Sequence, residues 1–151
     1  GAGPRGKTRA MSFNPYLFFS GNCAEAFAFY SEVFGVEAQV MRMGDVPPGE
    51  DTPPDVSPDT VMHASIEVGG SFLMGSDDPT GDGGPKSGFS VAYTAPSPAA
   101  VAPIFEALSE GGQVTMPPGP TFFSPAFGML TDRFGVAWMV DSYPEDGAAD
   151  S

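Results

Sequence analysis

The stretch FFSPAFGMLTDRFGVAWMV, residues 122–140, decides the fold. It reads as a strand over residues 126–131, a turn at Asp132-Arg133-Phe134-Gly135 and a second strand over residues 136–140. Aspartate opens such a turn by accepting backbone N–H groups ahead of it, and Gly135 supplies the positive φ that closes it. The same design stands upstream: a strand over Val61–Val68, the pair Gly69-Gly70, and a strand over residues 71–74. Each hairpin follows a strand, an amphipathic helix and another strand. The chain is therefore predicted to carry one β-α-β-β-β unit twice.

In the first half, residues 16–20 form a short aromatic strand. Asn22 offers an N-cap and Glu25 the other half of a capping box. Ala26, Phe29, Tyr30, Val33 and Phe34 recur at helical spacing, and Gly35 ends the helix. Residues 37–43 make the next strand. The loop GDVPPGEDTPPDVSPDT, residues 44–60, is too rich in proline and acid to build a core and is expected to be mobile. In the second half, a strand over residues 89–94 leads to Ser97 as N-cap and Pro98 at the first helical position. Val101, Ile104, Phe105 and Leu108 form the apolar stripe. Pro103 inside that stripe predicts a kink or a late start. Gly111-Gly112 stops the helix, and residues 113–116 form a strand. Gln39-Val40 and Gln113-Val114 each lie just beyond a helix-ending glycine, an echo at about 70 residues that supports internal duplication.

The domain organisation follows. Residues 11–146 are one domain, with module one over residues 14–78 and module two over residues 87–143. Residues 1–10 read as a tag or disordered leader and residues 147–151 as a disordered tail.

Thirteen Phe, four Tyr and one Trp supply core for the 151 residues. Charge is lopsided, with 19 acidic against 6 basic residues and a formal net charge of −13. Three of the basic residues, Arg5, Lys7 and Arg9, fall in the leader, leaving Arg42, Lys86 and Arg133 for the body. Phosphate recognition needs clustered Lys and Arg, so no nucleic acid and no membrane surface is expected as a partner. The same deficit disfavours highly anionic substrates. No apolar run approaches the ~20 residues of a bilayer span, and no signal peptide precedes Met11, so a cytoplasmic protein is expected. The single cysteine, Cys23, cannot form an internal disulfide and suits a reducing compartment. A helix start would lower its thiol pKa, but a small structural filler is the simpler reading.

The strand HASIEV, residues 63–68, alternates strictly. Ala64, Ile66 and Val68 face a helix-covered core, while His63, Ser65 and Glu67 share the other face. Such a face is either plain solvent surface or one wall of a cleft. In a cleft, His63 would act as general base or orient a ligand, and it is the candidate catalytic residue. His63 and Glu67 stand about 13 Å apart along the strand, at ~3.3 Å per residue, so they do not touch. Phe19, Phe89, Phe127 and Met139 are further ligand-binding candidates, each of which could equally be core. Trp138 alternates with Met139 and is expected to pack under the helices. Tyr93 offers a proton donor with no assignable partner, and turn formation alone accounts for Asp132.

The order of AEAFAFYSEVFG (24–35), the GD-PP loop, MHASIEVGGSFLMGSD (62–77), FEALSEGGQVTMP (105–117) and FGMLTDRFGVAWMV (127–140) resembles the PhnB-like branch of the vicinal oxygen chelate superfamily. That superfamily includes glyoxalase I, extradiol dioxygenases and bleomycin-resistance proteins. The resemblance spans residues 14–143. It implies an α+β fold of two βαβββ modules, each curling into half of a cleft, and a homodimer.

Active members of the superfamily hold a divalent metal on strands of both modules through His, Gln or Glu. Laid on this sequence, the Glu that ends the last hairpin falls at Met139. The His that opens the second module falls near Phe89 or Ser90, the first-module ligand near Asn14 or Pro15, and the fourth near Met74–Ser76. None of these is a hard-metal donor set. PhnB-like chains commonly carry Phe-Trp-Gly before the final hairpin with a basic residue after it. Here Phe122-Phe123-Ser124-Pro125-Ala126 lacks both, which implies a more apolar pocket. No glycine-rich methyl-donor fingerprint is present.

The resemblance leaves open whether the protein is an enzyme. The first expectation is a protein that binds a small apolar or aromatic molecule without cofactor or metal, with His63, Ser65 and Glu67 orienting it. The alternative is a metal-dependent lyase, isomerase or dioxygenase with an atypical ligand set including His63 and Glu67. A third is a purely structural dimer module whose cleft is closed by aromatic side chains.

Overall fold

The computed structural model describes residues 13–45, 57–78 and 88–143. The leader (1–10), most of the 44–60 loop, the linker over 79–87 and the tail (147–151) lie outside the described residues. Module one runs β1 (Tyr16–Phe19), α1 (Cys23–Phe34), β2 (Gln39–Arg42), β3 (Val61–Val68) and β4 (Ser71–Asp77). Module two runs β5 (Val91–Ala95), α2 (Val101–Ser109), β6 (Gln113–Gly119), β7 (Phe127–Thr131) and β8 (Ala137–Ser142). Each module makes one four-stranded sheet, in the orders β1-β4-β3-β2 and β5-β8-β7-β6. In both, the first strand pairs parallel with the fourth and the other pairings are antiparallel. The two orders are the same arrangement repeated, as the duplicated pattern predicts.

Side-chain alternation sets which face meets the helices. Leu17 and Phe19 of β1, Ala64 and Ile66 of β3 and Leu73 of β4 are buried, as are Val91 and Ala95 of β5 and Leu130, Trp138 and Val140 of β7 and β8. The alternation of β3 breaks once, where Arg42 pairs with Val61 and Met41 with His63, leaving Met62 as a bulge. A helix phenylalanine seats over a glycine in each sheet. A Cβ on Gly75 would lie 2.9 Å from Phe27, and one on Gly128 would lie 2.7 Å from Phe105. The missing side chain is what lets each helix approach its sheet this closely.

Helix α1 packs on β3 and β4, and α2 packs on β6, β7, β8 and α1. The Tyr30 ring also meets Trp138 at 5.4 Å, and Phe34 meets Tyr93 at 4.9 Å, so α1 touches the helix-facing side of both sheets. The helices are the shared middle layer. Trp138 packs under them, as its alternation predicts.

The local readings divide: the capping box is corrected, while the late helix start and the filler cysteine hold. Asn22 makes no side-chain cap bond, so the capping box is not formed. The Asp77 carboxylate at the end of β4 takes that role, accepting from the backbone N–H of Gly21 (3.1 Å) and Cys23 (2.9 Å). It also accepts from Val61 N at 3.0 Å, tying β3, β4 and α1 together. In module two the helix starts late. Pro98–Ala100 is a 3-10 turn, so Pro103 falls in the first turn of α2, where its missing N–H costs nothing. Cys23 is fully buried, and burial followed by the charge of Asp77 pushes its thiol up to about 12, so it is a filler.

Asp132 does more than form a turn. Its Oδ1 accepts from the backbone N–H of Phe134 (2.9 Å) and Val136 (3.0 Å), closing the β7–β8 hairpin as predicted. Its Oδ2 accepts from the Tyr30 hydroxyl at 2.6 Å and the Trp138 indole N–H at 2.9 Å. The carboxylate is 3% exposed, so these four donors replace its water entirely. Burial, then the Asp132 charge, drives the Tyr30 hydroxyl far above the ordinary tyrosine range, so it remains a donor.

Two predictions follow from this packing. Asp132→Ala strands four buried donors and is expected to cost about 3–5 kcal/mol, and Tyr30→Phe about 1–3 kcal/mol, in urea unfolding; losses under about 0.5 kcal/mol would refute the keystone role. Gly128→Ala is expected to cost about 1–3 kcal/mol through overpacking against Phe105, whereas Gly119→Ala, which meets nothing within 4 Å, should leave the melting temperature nearly unchanged.

Candidate functional site

The faces turned away from the helices are the candidate site. On the first sheet one row crosses all four strands: Gln39, Ser65, Met74 and Tyr16, joined by register. On the second sheet the equivalent row is Met116, Met129, Met139 and Ala92. Counted back from the last pair of each parallel ladder, Tyr16 corresponds to Ala92 and Met74 to Met139. These rows run across the middle of the two open faces, and they carry two thioethers, a phenol and a methyl group at the β1, β4, β5 and β8 positions.

The first open face is aromatic at one side. Tyr16 is 41% exposed and Phe18 56%, with ring centroids 5.3 Å apart. The Tyr16 ring also lies 5.8 Å from His63, and its hydroxyl stands 3.4 Å from His63 Nδ1, a long hydrogen bond. His63, Ser65 and Glu67 do share this face, as the alternation predicts, and Glu67 pairs across to Phe72. Exposure falls from Glu67 toward the half-buried Ser65 and His63. The arrangement gives His63 one aromatic wall, one phenolic partner and access from the open side. It can orient a ligand or exchange a proton with it.

The remaining candidates separate. Met139 sits at the centre of the second open face. Phe127 lies on the same face but is 6% exposed, covered by Phe123 at 5.0 Å edge-on. Phe123 is held by a local loop in which the Thr121 hydroxyl accepts from the backbone N–H of Phe123 and Ser124. Phe89 is 48% exposed just ahead of β5. Phe19 is placed elsewhere: it is 2% exposed on the helix side, edge-on to Phe27. Tyr93 likewise faces the helices, its ring against Phe34, and that orientation removes it as a donor for the open face; burial raises its hydroxyl pKa. Tyr16, Phe18, Met116 and Met129 were not singled out from sequence. Their signal was the period of two, readable only once both sheets' registers are known.

The donor chemistry does not suit a hard divalent ion. Among the described residues no three His, Cys, Asp or Glu side chains gather as a metal would need. His63 and Glu67 alone supply two donors on one strand, too far apart to share an ion. The helix side holds a groove of about 210 Å³ lined by Phe29, Glu32, Val33, Ala107, Glu110 and Arg133. Arg133 stacks 4.2 Å over the Phe29 ring there, so the groove is the seat of a surface cation and lies away from the open faces. No helix among the described residues is long and apolar enough to cross a membrane.

Known proteins share this architecture. The profile of the glyoxalase/bleomycin resistance protein/dioxygenase superfamily matches residues 12–140. Protein YjdN of Escherichia coli K12 is 32% identical over 139 residues, which is 87% of this chain and 95% of YjdN. The crystal structure of protein PA1353 from Pseudomonas aeruginosa is 43% identical, with a TM-score of 0.79 over 90% of this chain and all of that one. The PhnB protein from Bacillus cereus is 27% identical, with a TM-score of 0.70 over 87% of this chain and 99% of that one. Two repeated four-stranded sheets with their helices on one side, matched along nearly the whole body, therefore place this chain in the glyoxalase/bleomycin resistance protein/dioxygenase superfamily.

Proposed function

We propose that this protein binds a small apolar or aromatic molecule, without a metal, in a cleft that two copies build face to face. The observation that carries this is the pair of equivalent rows, Tyr16–Met74 and Ala92–Met139, at the centre of each open face. Soft, apolar side chains there stabilise a ligand by burying its surface, not by coordinating its oxygens. Methionines at three of four places on the second sheet adapt to more than one ligand shape. His63 and Tyr16 supply the polar contacts that fix orientation, with Ser65 beside them.

The second copy follows from the same faces. Among the described residues the helix layer separates the sheets, so each open face lacks an opposing wall there. Tyr16, Phe18, Met41 and Phe72 leave between 41% and 56% of their surfaces in water on the first sheet. Covering such an aromatic face is favourable by about 25 cal/mol per Å² of apolar area. A second sheet from another copy would cover it and enclose the ligand. Stoichiometric capture of this kind requires no reaction and suits a resistance-type role. A cytoplasmic location fits the single buried thiol.

Two experiments test the proposal. Protein purified without chelators is expected to carry well under one equivalent of zinc, nickel, iron or manganese by elemental analysis, and added ions should not raise its melting temperature. In a thermal-shift screen of planar quinones and polycyclic aromatics, a binder at a hundred times its dissociation constant adds about 2.7 kcal/mol, or about 5–10 °C. His63→Ala should weaken that binder several-fold, by about 1 kcal/mol. Stoichiometric metal that His63→Ala releases would replace this reading with a metal-dependent lyase, isomerase or dioxygenase. Light scattering is expected to give twice the chain mass, and Phe18→Asp to give monomer with a retained cooperative melt; a wild-type monomer would remove the two-copy cleft.

A further inference from the structure

Asp141 follows Met139 on β8 and projects from the same open face, since Trp138, Val140 and Ser142 between and beside them are buried on the helix side. It pairs across to Thr94 of β5. Gly128 pairs with Val140, so the next residue back, Phe127, neighbours Asp141 on its other side. The Asp141 carboxylate thus sits between a hydroxyl-bearing residue and the buried Phe127 ring, one row from the methionines. Its Oδ1 is sealed from water and has no hydrogen-bond partner. The contrast with Asp132, whose two oxygens take four donors, is plain.

A carboxylate is acceptor-only, and an oxygen shut away from water without a donor is destabilising unless something else supplies one. Among the described residues nothing supplies it from this face. Among the described residues the basic side chains are Arg42 and His63 on the first sheet and Arg133, which lies over Phe29 and Phe134 on the helix side. Ser142 Oγ is also buried without a partner, but it faces the helix layer and belongs to a different environment.

We infer that Asp141 anchors an ammonium group on an otherwise apolar ligand, whose body lies along the Met116–Met129–Met139 row. This rests on the cleft proposed above and adds the charge of its occupant. Asp141 is half-buried as a residue, so a turn of its carboxyl group brings Oδ1 to the open face. There an organic cation supplies the missing N–H donor and neutralises the charge, while an anion at the same place meets a like charge with no counter-cation among the described residues of the sheet. Thr94 is placed to accept from or donate to a second polar atom on the same head group.

Three probes with one aromatic body separate the terms: 2-naphthylmethylammonium, 2-naphthylmethanol and 2-naphthoate, titrated by calorimetry into the full-length protein. The ammonium is expected to bind at least about tenfold tighter than the carboxylate, the size of one charge-assisted hydrogen bond. In the near-isosteric Asp141→Asn that preference should collapse to within about twofold, with the alcohol's affinity unchanged. Without ligand, Asp141→Asn should melt at the same or a higher temperature, because it removes an uncompensated charge; a merely structural aspartate would give a drop. Equal binding of all three probes by wild type leaves the cleft standing and overturns the anchor. A preference that persists in Asp141→Asn overturns it too, as does loss of the dimer in that variant, which would assign the carboxylate to the second copy. If none of the probes binds, the cleft itself fails and the anchor with it.

Discussion

The carboxylate of Asp132 is the constraint on which the two modules' relation depends. It closes the β7–β8 hairpin through two backbone donors and joins that hairpin to α1 through Tyr30. Trp138, the fourth donor, is fixed at the same time, and its ring packs against both Tyr30 and Phe34. One buried charge therefore sets the turn, a core aromatic and the seat of the opposite module's helix. A buried ion with every lone pair engaged tolerates few alternatives, because any shift of α1 would leave the charge short of a donor. Hydrophobic packing, being non-directional, holds α1 against the second sheet without fixing its register by itself. The hydrogen bonds specify where it stops.

The repeats have diverged at the matching place in module one. Asp77 ends β4 as Ser142 ends β8, each opposite the last residue of its module's first strand. Asp77 reaches the start of α1 and holds two of its backbone N–H groups, and that helix runs 12 residues from its first turn. The Ser142 hydroxyl reaches one atom less far and makes no hydrogen bond. There the chain begins with a 3-10 turn, and α2 runs only 9 residues. At matching places one helix start is held by a carboxylate, and the other, opened by Pro98 and a 3-10 turn, is not.

Much of the architecture was legible because it rests on short-range rules. Gly35 takes a left-handed conformation at the end of α1, and Gly69, Gly70 and Gly135 have positive φ in the two hairpin turns, as their spacing between apolar runs requires. The alternation of β3 placed His63, Ser65 and Glu67 on one face correctly. What failed was reading across the chain. Asn22 looked like a cap because caps are usually local, whereas the acceptor that matters, Asp77, lies 54 residues away from Cys23. Asp132 satisfied its turn so completely in sequence that nothing called for Tyr30, 102 residues distant. Phe19 shared the composition of a cleft wall, and only the register of β1 against β4 assigns it to the core.

The same distinction governs the site. A row such as Gln39, Ser65, Met74 and Tyr16 draws one residue from each of four strands, so no sequence window contains it. Its meaning appears only when the second sheet shows Met116, Met129, Met139 and Ala92 in the matching places. Two rows generated by one duplication have kept their geometry while their side chains went separate ways: polar and aromatic on the first sheet, thioether-rich on the second. A surface made of unlike halves recognises an unlike-ended molecule better than a symmetric one, since each end meets its own chemistry. The aromatic and histidine-bearing half can stack and orient, and the methionine half can accommodate bulk. The duplication therefore supplies a shared frame, and in the cleft proposed above selectivity would reside in the differences between its two copies.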